Sequence, residues 1–109
     1  MEIKFSPPDI TEAEIAAVTD AMHSGWITTG PRTKEFERRI AESCGTDRVV
    51  CLNSATAGLE LTLRILGVGE GDEVITSAYT YTASASVIAH VGAKIVLCDI
   101  DPRGFELDL

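Results

Sequence analysis

The feature that most constrains the fold is an alternation of short apolar runs with helical patterns across the second half of the chain. The segments lie, in order, at 48–53, 55–66, 73–76, 80–91 and 94–99. Strand, helix, strand order is typical of right-handed βαβ units. The sequence therefore predicts an α/β fold with a mostly parallel sheet and helices on both of its faces.

Two helices are predicted before this alternation begins. Residues 1–10 contain adjacent prolines and predict an extended arm, because proline fixes its own φ and restricts its predecessor. Thr11 and Glu14 have the spacing of a capping box, which predicts a first helix over 12–24. After a loop, proline at the first position and glycine at the end predict a second helix over 31–45.

These patterns divide the chain into 1–47, an arm with two helices, and 48–109, the start of an α/β domain. Three parallel strands leave bare edges, and the sequence stops soon after the third predicted strand. We therefore expect these to be the first 109 residues of a longer protein.

Composition excludes several functional classes. Nine basic against 17 acidic residues give a net charge of -8, which argues against nucleic acid as a partner. The apolar runs are too short for a membrane span, and the N-terminus lacks the pattern of a secretory signal, so a cytoplasmic location is predicted. Cys44, Cys51 and Cys98 lack metal-ligand spacing. No metal site is predicted, and the cysteines are interpreted as buried, reduced thiols.

A candidate anion site lies where the first predicted strand gives way to a helix, in Asn53-Ser54-Ala55-Thr56-Ala57-Gly58. The first N–H groups of a helix are unpaired and the helix dipole is positive there, so a phosphate could bind. The alternative is ordinary capping of the helix by Asn53 or Ser54. The segment matches neither a P-loop nor a dinucleotide-binding glycine pattern.

Two tyrosines follow the second predicted strand at its carboxyl end, the edge at which open α/β sheets bind ligands. Tyr79 or Tyr81 could stack on a flat cofactor ring. The alternative is that one or both pack against the neighbouring helix with a hydrogen-bonded hydroxyl.

Other titratable residues are interpreted as structural. Asp99 and Asp101 follow the third predicted strand and could act as acid, base or metal ligand, but aspartate before Pro102 favours a turn. His23 and His90 fall at predicted helix ends, where an imidazole suits the dipole.

The order and spacing of several short motifs carry a family resemblance. They are Phe5-Ser6-Pro7-Pro8, the loop from Ser24 to Pro31, Asn53 to Ala57, Gly71 to Ile75, Thr80 to Ala83, and Asp99 to Asp101. Together they resemble the start of a DegT/DnrJ/StrS-type sugar aminotransferase, a pyridoxal phosphate enzyme of the aspartate aminotransferase fold (fold type I). The resemblance covers nearly the whole chain and implies the N-terminal part of that transferase's large domain.

The resemblance implies a cofactor site and a substrate site. Ser54, Ala55 and Thr56 would hold the phosphate of pyridoxal phosphate, through the amides of Ala55 and Thr56 and the Thr56 hydroxyl. Tyr81 would stack on the pyridine ring. The sugar-nucleotide site would be bordered by Trp26, Thr28 and Thr29. The resemblance implies a nucleotide-linked keto sugar and an amino-acid donor, glutamate, as substrates, and a homodimer as the assembly.

The resemblance does not supply a catalytic lysine. In such enzymes the lysine that forms the Schiff base with the cofactor lies beyond Leu109, and Lys4, Lys34 and Lys94 do not stand in its motif. The fragment itself is therefore expected to be inactive. Two alternatives stay open: a related sugar dehydratase in which that lysine is replaced, and a non-catalytic regulatory or interaction module of α/β fold.

Overall fold

A computed structural model describes Ile3 and residues 5–108. The remaining residues are Met1, Glu2, Lys4 and Leu109. The interpretation of Lys4, and part of the extended arm predicted over 1–10, therefore lie outside the described residues. The chain forms two compact units, Met1–Cys51 and Leu52–Leu109.

The first unit contains the two predicted helices. Helix α1 spans Glu12–His23 and begins with the predicted capping box. The Thr11 hydroxyl accepts a hydrogen bond from the Ala13 N–H at 3.2 Å, and the Glu14 carboxylate accepts from the Thr11 N–H at 2.6 Å. The Thr11 bonds hold the pKa of Glu14 below its ordinary value. Reciprocal bonding of this kind satisfies orphan donors at the helix start, and the prediction is confirmed.

Helix α2 spans Pro31–Cys44 and also agrees with the prediction. It ends at Gly45, whose φ of 65° is a left-handed conformation that favours glycine. On its exposed surface, Glu35 accepts hydrogen bonds from Arg38 and Arg39, which lower the pKa of that carboxyl to about 2. Ion pairs between residues three and four positions apart thus link the charged side chains along the surface of α2.

The strand predicted at 48–53 is wrong, since none of these described residues is in a strand. A strand exists only when its backbone pairs with a neighbour, and the two observed strands pair with each other. The Cys51 N–H donates instead to Oε1 of Glu37 on α2, at 2.8 Å. A helix side chain therefore takes the donor that a sheet partner would use.

The second unit is a βαβ arrangement preceded by a helix. Its elements are α3 (Ala55–Ile65), β1 (Glu73–Ser77), α4 (Ala83–His90) and β2 (Lys94–Cys98). The strands β1 and β2 are parallel, and the register pairs Glu73 with Lys94, whose side chains form an ion pair. The predicted α/β class with parallel strands is confirmed.

The core of this unit is small. Its buried side chains are Val87 and Ile88 of α4 and Ala93, and half-buried Leu63 and Val74 pack against them. Among the described helices α4 alone packs directly on the strands, while α3 packs on α4. The sequence predicts helices on both faces, but Ile75, which points away from Val74, is 54% exposed.

Helix α4 begins three residues later than the predicted 80–91. The hydroxyls of Thr80 and Ser84 lie 3.1 Å apart, and the Ser84 N–H donates to the Tyr81 carbonyl at 3.0 Å. These bonds form a turn before the helix, in keeping with the tendency of hydroxyl side chains to compete with helical bonding.

The cysteines are free thiols, but the prediction that they are buried is wrong. Cys44 is exposed, and Cys51 and Cys98 are half-buried. Partial burial, with Glu37 nearby, raises the pKa of the Cys51 thiol. The described part of the chain contains no helix that is both long and apolar enough to span a membrane.

Candidate functional site

The start of α3 presents two unpaired backbone donors. The helix begins at Ala55, and neither the Ala55 nor the Thr56 N–H donates to a described residue. The next donor, the Ala57 N–H, is capped by the Ser54 hydroxyl oxygen at 3.1 Å. Both the anion-site and the capping interpretations are therefore compatible with the geometry, since Ser54 caps one donor and leaves two others open.

The surroundings of these donors suit an anion. The first turn of α3 has no acidic residue, whereas that of α1 has Glu12 and Glu14. Ala55 is exposed and Thr56 is half-buried, and the Thr56 hydroxyl has no hydrogen bond to a described residue. The positive end of the helix dipole is thus accessible and is not neutralised by a carboxylate of its own first turn.

An open groove lies along the same unit. Its lining includes Leu59 and Thr62 of α3, Thr76 near the carboxyl end of β1, and Ser84 in the first turn of α4. The middle of α3, at Leu59 and Thr62, therefore lies beside the carboxyl end of β1 and the start of α4. Ligands of open α/β sheets bind at this end of the strands.

Tyr81 lies two residues before the start of α4 and is 81% exposed. Tyr79 is 68% exposed, and neither hydroxyl forms a hydrogen bond with a described residue. The alternative interpretation expects packed tyrosines with hydrogen-bonded hydroxyls, and the structure does not show this among the described residues. The ring of Tyr79 stacks instead on Phe105, a contact that the sequence did not indicate.

The other predicted group lies in the first unit, in the loop between α1 and α2. The indole N–H of Trp26 donates to the Thr29 carbonyl at 3.1 Å, which folds the loop back on itself. Gly30 is buried beneath the indole. A Cβ added at Gly30 would overlap the indole nitrogen, so only glycine permits this close approach.

A groove is formed beside this loop. It is lined by Ala21, Ser24, Trp26, Ile27, Thr28, Pro31 and Arg32. Trp26 and Thr28 are thus brought together, while Thr29 contributes the carbonyl that holds the indole. Sequence reasoning missed Arg32, which pairs with Asp20 of α1. Arg32 could have been proposed from the sequence, because it follows Pro31 directly at the end of the predicted loop.

Replacing Gly30 by alanine should displace the Trp26 indole and break its bond to Thr29, because the new methyl group would overlap the ring. Trp26 is the sole tryptophan of the chain, so its fluorescence emission reports the change directly. We expect emission shifted to longer wavelength in the 109-residue chain. Gly104→Ala is the matched control, since no atom lies near its added Cβ. Identical spectra for both variants would contradict the contact.

Asp101 and His90 have structural partners. Asp101 accepts from the Arg103 N–H at 2.8 Å and pairs with its guanidinium, which holds the pKa of Asp101 below its ordinary value. The predicted turn is therefore confirmed at Asp101. His90 lies 3.0 Å from Oε2 of Glu60 and links α4 to α3. In the portion of the chain described, no cluster of three or more potential ligands could hold a metal ion.

Comparison with known proteins gives consistent matches. The sequence model of the DegT/DnrJ/EryC1/StrS aminotransferase family matches residues 8–109. The UDP-4-amino-4-deoxy-L-arabinose–oxoglutarate aminotransferase of Shewanella sediminis is 45% identical over all of the chain. The spore coat polysaccharide biosynthesis protein SpsC of Bacillus subtilis is 42% identical over 97% of it. The chain spans 29% and 27% of the lengths of these two relatives.

Solved structures agree with the sequence matches. A Streptococcus pneumoniae protein, Spr1654, described as a sugar aminotransferase and solved in a PMP-form and a PLP-form, is 64% identical with a TM-score of 0.90. The match covers 99% of this chain and 27% of the PMP-form chain. The aminotransferase TlmJ of Streptoalloteichus hindustanus is 44% identical with a TM-score of 0.84, over 90% of this chain and 27% of its own.

Proposed function

Because the chain belongs to the DegT/DnrJ/EryC1/StrS aminotransferase family, we propose that the full-length protein transfers an amino group to a nucleotide-linked keto sugar. The amino donor is an amino acid, with glutamate as the first candidate, and pyridoxal phosphate is the cofactor. The observation that carries the proposal for this chain is the pair of N–H groups at the start of α3 that donate to no described residue.

These donors fit the phosphate of the cofactor. The amides of Ala55 and Thr56 lie at the positive end of α3, and the Thr56 hydroxyl is free of described partners. The Ser54 hydroxyl accepts from Ala57 and can still donate its own proton. Ser54, Ala55 and Thr56 would therefore bind the phosphate by charge-assisted hydrogen bonds, which are the stronger kind.

Tyr81 would pack on the pyridine ring of the cofactor. A flat ring needs a flat, accessible partner, and Tyr81 is 81% exposed at the start of α4. The bonds of Thr80 and of the Tyr81 carbonyl to Ser84 hold the loop that carries it. Offset stacking of aromatic rings adds to the area that they bury.

The groove beside Trp26 is the proposed border of the sugar-nucleotide site. A nucleotide-linked sugar has a planar base, hydroxyl groups and an anionic diphosphate. The groove is lined by Trp26, Thr28 and Arg32, whose guanidinium also pairs with Asp20, and the Thr29 carbonyl holds the indole in place. An indole can stack on a base, a hydroxyl can bond to sugar hydroxyls, and a guanidinium can bind a diphosphate.

Pyridoxal phosphate supplies an electron sink for amino-group transfer, while the protein supplies binding and orientation. A lysine is also needed to form the covalent link and to move the proton. Lys34 and Lys94 are not proposed for this role, and Lys94 pairs with Glu73 across the strands. We therefore propose that residues outside this chain supply the catalytic lysine, and that 1–109 alone has no transaminase activity.

The remaining parts of the proposal concern organisation. Residues 48–109 would begin the cofactor-binding domain, after an arm and two helices in 1–47. The full-length protein would be a cytoplasmic homodimer. The exposed apolar side chains of Ile75 and Leu97 need further residues to cover them, and a second subunit is one source of these beside the rest of the full-length protein.

The test uses the full-length protein, loaded with pyridoxal phosphate, and glutamate labelled with ¹⁵N. We expect glutamate to change the absorbance of the bound cofactor, and a nucleotide-linked keto sugar to restore it while gaining the label. Mass spectrometry of the sugar gives the readout. Light scattering of the same sample tests the dimer.

The alternatives predict different results. Loss of water from the sugar without gain of ¹⁵N would identify a dehydratase. A cofactor band that does not respond to any amino donor would favour a non-catalytic module. The sequence beyond Leu109 gives an independent check, because an aminotransferase needs the lysine there and a histidine in its place favours dehydration.

A further inference from the structure

The ring of Phe105 lies against the ring of Tyr79 in the second unit. Their centroids are 5.7 Å apart and their planes are inclined by 20°, which is a stacked arrangement. Phe105 is 79% exposed, and its aromatic contact among the described residues is this stack on Tyr79.

The backbone around Phe105 is held by hydrogen bonds. The Asp101 N–H donates to the Glu106 carbonyl at 3.0 Å, and the Gly104 N–H donates to the Asp101 carbonyl at 3.0 Å. An antiparallel bridge joins Ile100 to Leu107 just outside this turn. The turn that presents Phe105 is thus built from the segment that directly follows β2.

The partner ring belongs to the loop that carries Tyr81. The Tyr79 N–H donates to the Ser77 hydroxyl at 3.0 Å, at the end of β1. Two residues later the Tyr81 carbonyl accepts from Ser84 at the start of α4. The loop is therefore fixed at both ends by hydrogen bonds, and between them the Tyr79 side chain is fixed by Phe105.

We propose that Phe105 is a positioning residue for the cofactor site: by stacking on Tyr79 it orders the loop that presents Tyr81 to the pyridine ring. The inference rests on the proposed function, since it assumes that Tyr81 contacts the cofactor. A loop ordered in advance loses less conformational entropy when the ligand binds, so the stack raises affinity without touching the ligand.

The test titrates the full-length apo-protein with pyridoxal phosphate. We expect Phe105→Leu to weaken binding by about two- to twelvefold, the factor that corresponds to the energy of an aromatic pair. Phe105→Tyr keeps a ring and should bind as the unchanged protein does. Circular dichroism in the absorption band of the bound cofactor should decrease in the leucine variant at saturation, because the ring then has a less fixed environment.

Two comparisons separate this role from a general loss of stability. Phe5→Leu makes the same substitution at a fully exposed phenylalanine of the first unit and should have no effect. Tyr79→Leu should weaken binding as Phe105→Leu does, and the double variant should be no weaker than either, because both remove one contact. Additive losses would overturn the proposal.

The variant Tyr81→Leu separates a failure of the positioning role of Phe105 from a failure of the proposed cofactor contact of Tyr81. If Tyr81→Leu weakens binding while Phe105→Leu does not, the positioning role is overturned and the proposed cofactor site stands. If Tyr81→Leu binds the cofactor normally, the ring contact and the inference that rests on it are both overturned.

Discussion

Replacing Ala55 by proline should weaken the binding of pyridoxal phosphate to the full-length protein by about tenfold to a hundredfold. Proline has no N–H, so the variant loses one of the two unpaired donors at the start of α3. A hydrogen bond to a charged group contributes about 1.5–3 kcal/mol, and each 1.4 kcal/mol is about a factor of ten in affinity. Titration of the apo-protein with the cofactor measures the change.

The substitution should spare the helix itself. Ala55 is the first residue of α3, the position at which proline is favoured in helices. The preceding residue must be extended, and Ser54 already has φ -161° and ψ 156°. The Ser54 cap on the Ala57 N–H is left in place. A loss of affinity would therefore report the missing donor rather than an unfolded segment.

Glu12→Pro is the matched control, because Glu12 is the first residue of α1 and follows an extended Thr11. It places proline at the same helical position in the other unit and should leave cofactor affinity unchanged. If Ala55→Pro binds the cofactor as tightly as this control does, the α3 amides do not hold the phosphate. The capping interpretation of the segment would then suffice.

The sequence predicted helices well because their boundaries depend on local chemistry. The Thr11 and Glu14 capping box, and the Gly45 end of α2, each lie within a few residues of the backbone groups that they satisfy. The strand predicted over 48–53 failed for the opposite reason. Pairing depends on residues distant in sequence, and the Cys51 N–H bonds to Glu37 instead.

The candidate site residues also differ in whether local sequence predicts them. Ser54, Ala55 and Thr56 could be proposed from sequence, because a strand-like run before a helix start is a local pattern and the motif carries a family resemblance. The contact of Phe105 with Tyr79 joins residues 26 positions apart, and no periodicity indicates it. The dependence of the Trp26 indole on Gly30 is close in sequence but depends on a side-chain conformation.

Replacing Ile88 by alanine should cost the 109-residue chain about 2–5 kcal/mol of unfolding free energy, the range for deleting a buried isoleucine side chain. Ile88 is 2% exposed and is, with Val87, one of two large buried side chains in the core where α4 meets the strands. The buried core of the described residues otherwise contains Val87 and Ala93, so few side chains can move to fill the cavity. The midpoint and slope of urea unfolding give the free energy.

The control is Ile65→Ala, which makes the same substitution in α3 at a side chain that is 75% exposed. Both variants gain the same intrinsic helix propensity, so the difference between them isolates burial. We expect Ile65→Ala to change the unfolding free energy by no more than about 0.5 kcal/mol, as is usual for surface positions. Since Ile88 is buried and Ile65 is exposed, equal losses would contradict the placement of Ile88 at the centre of the α4 core.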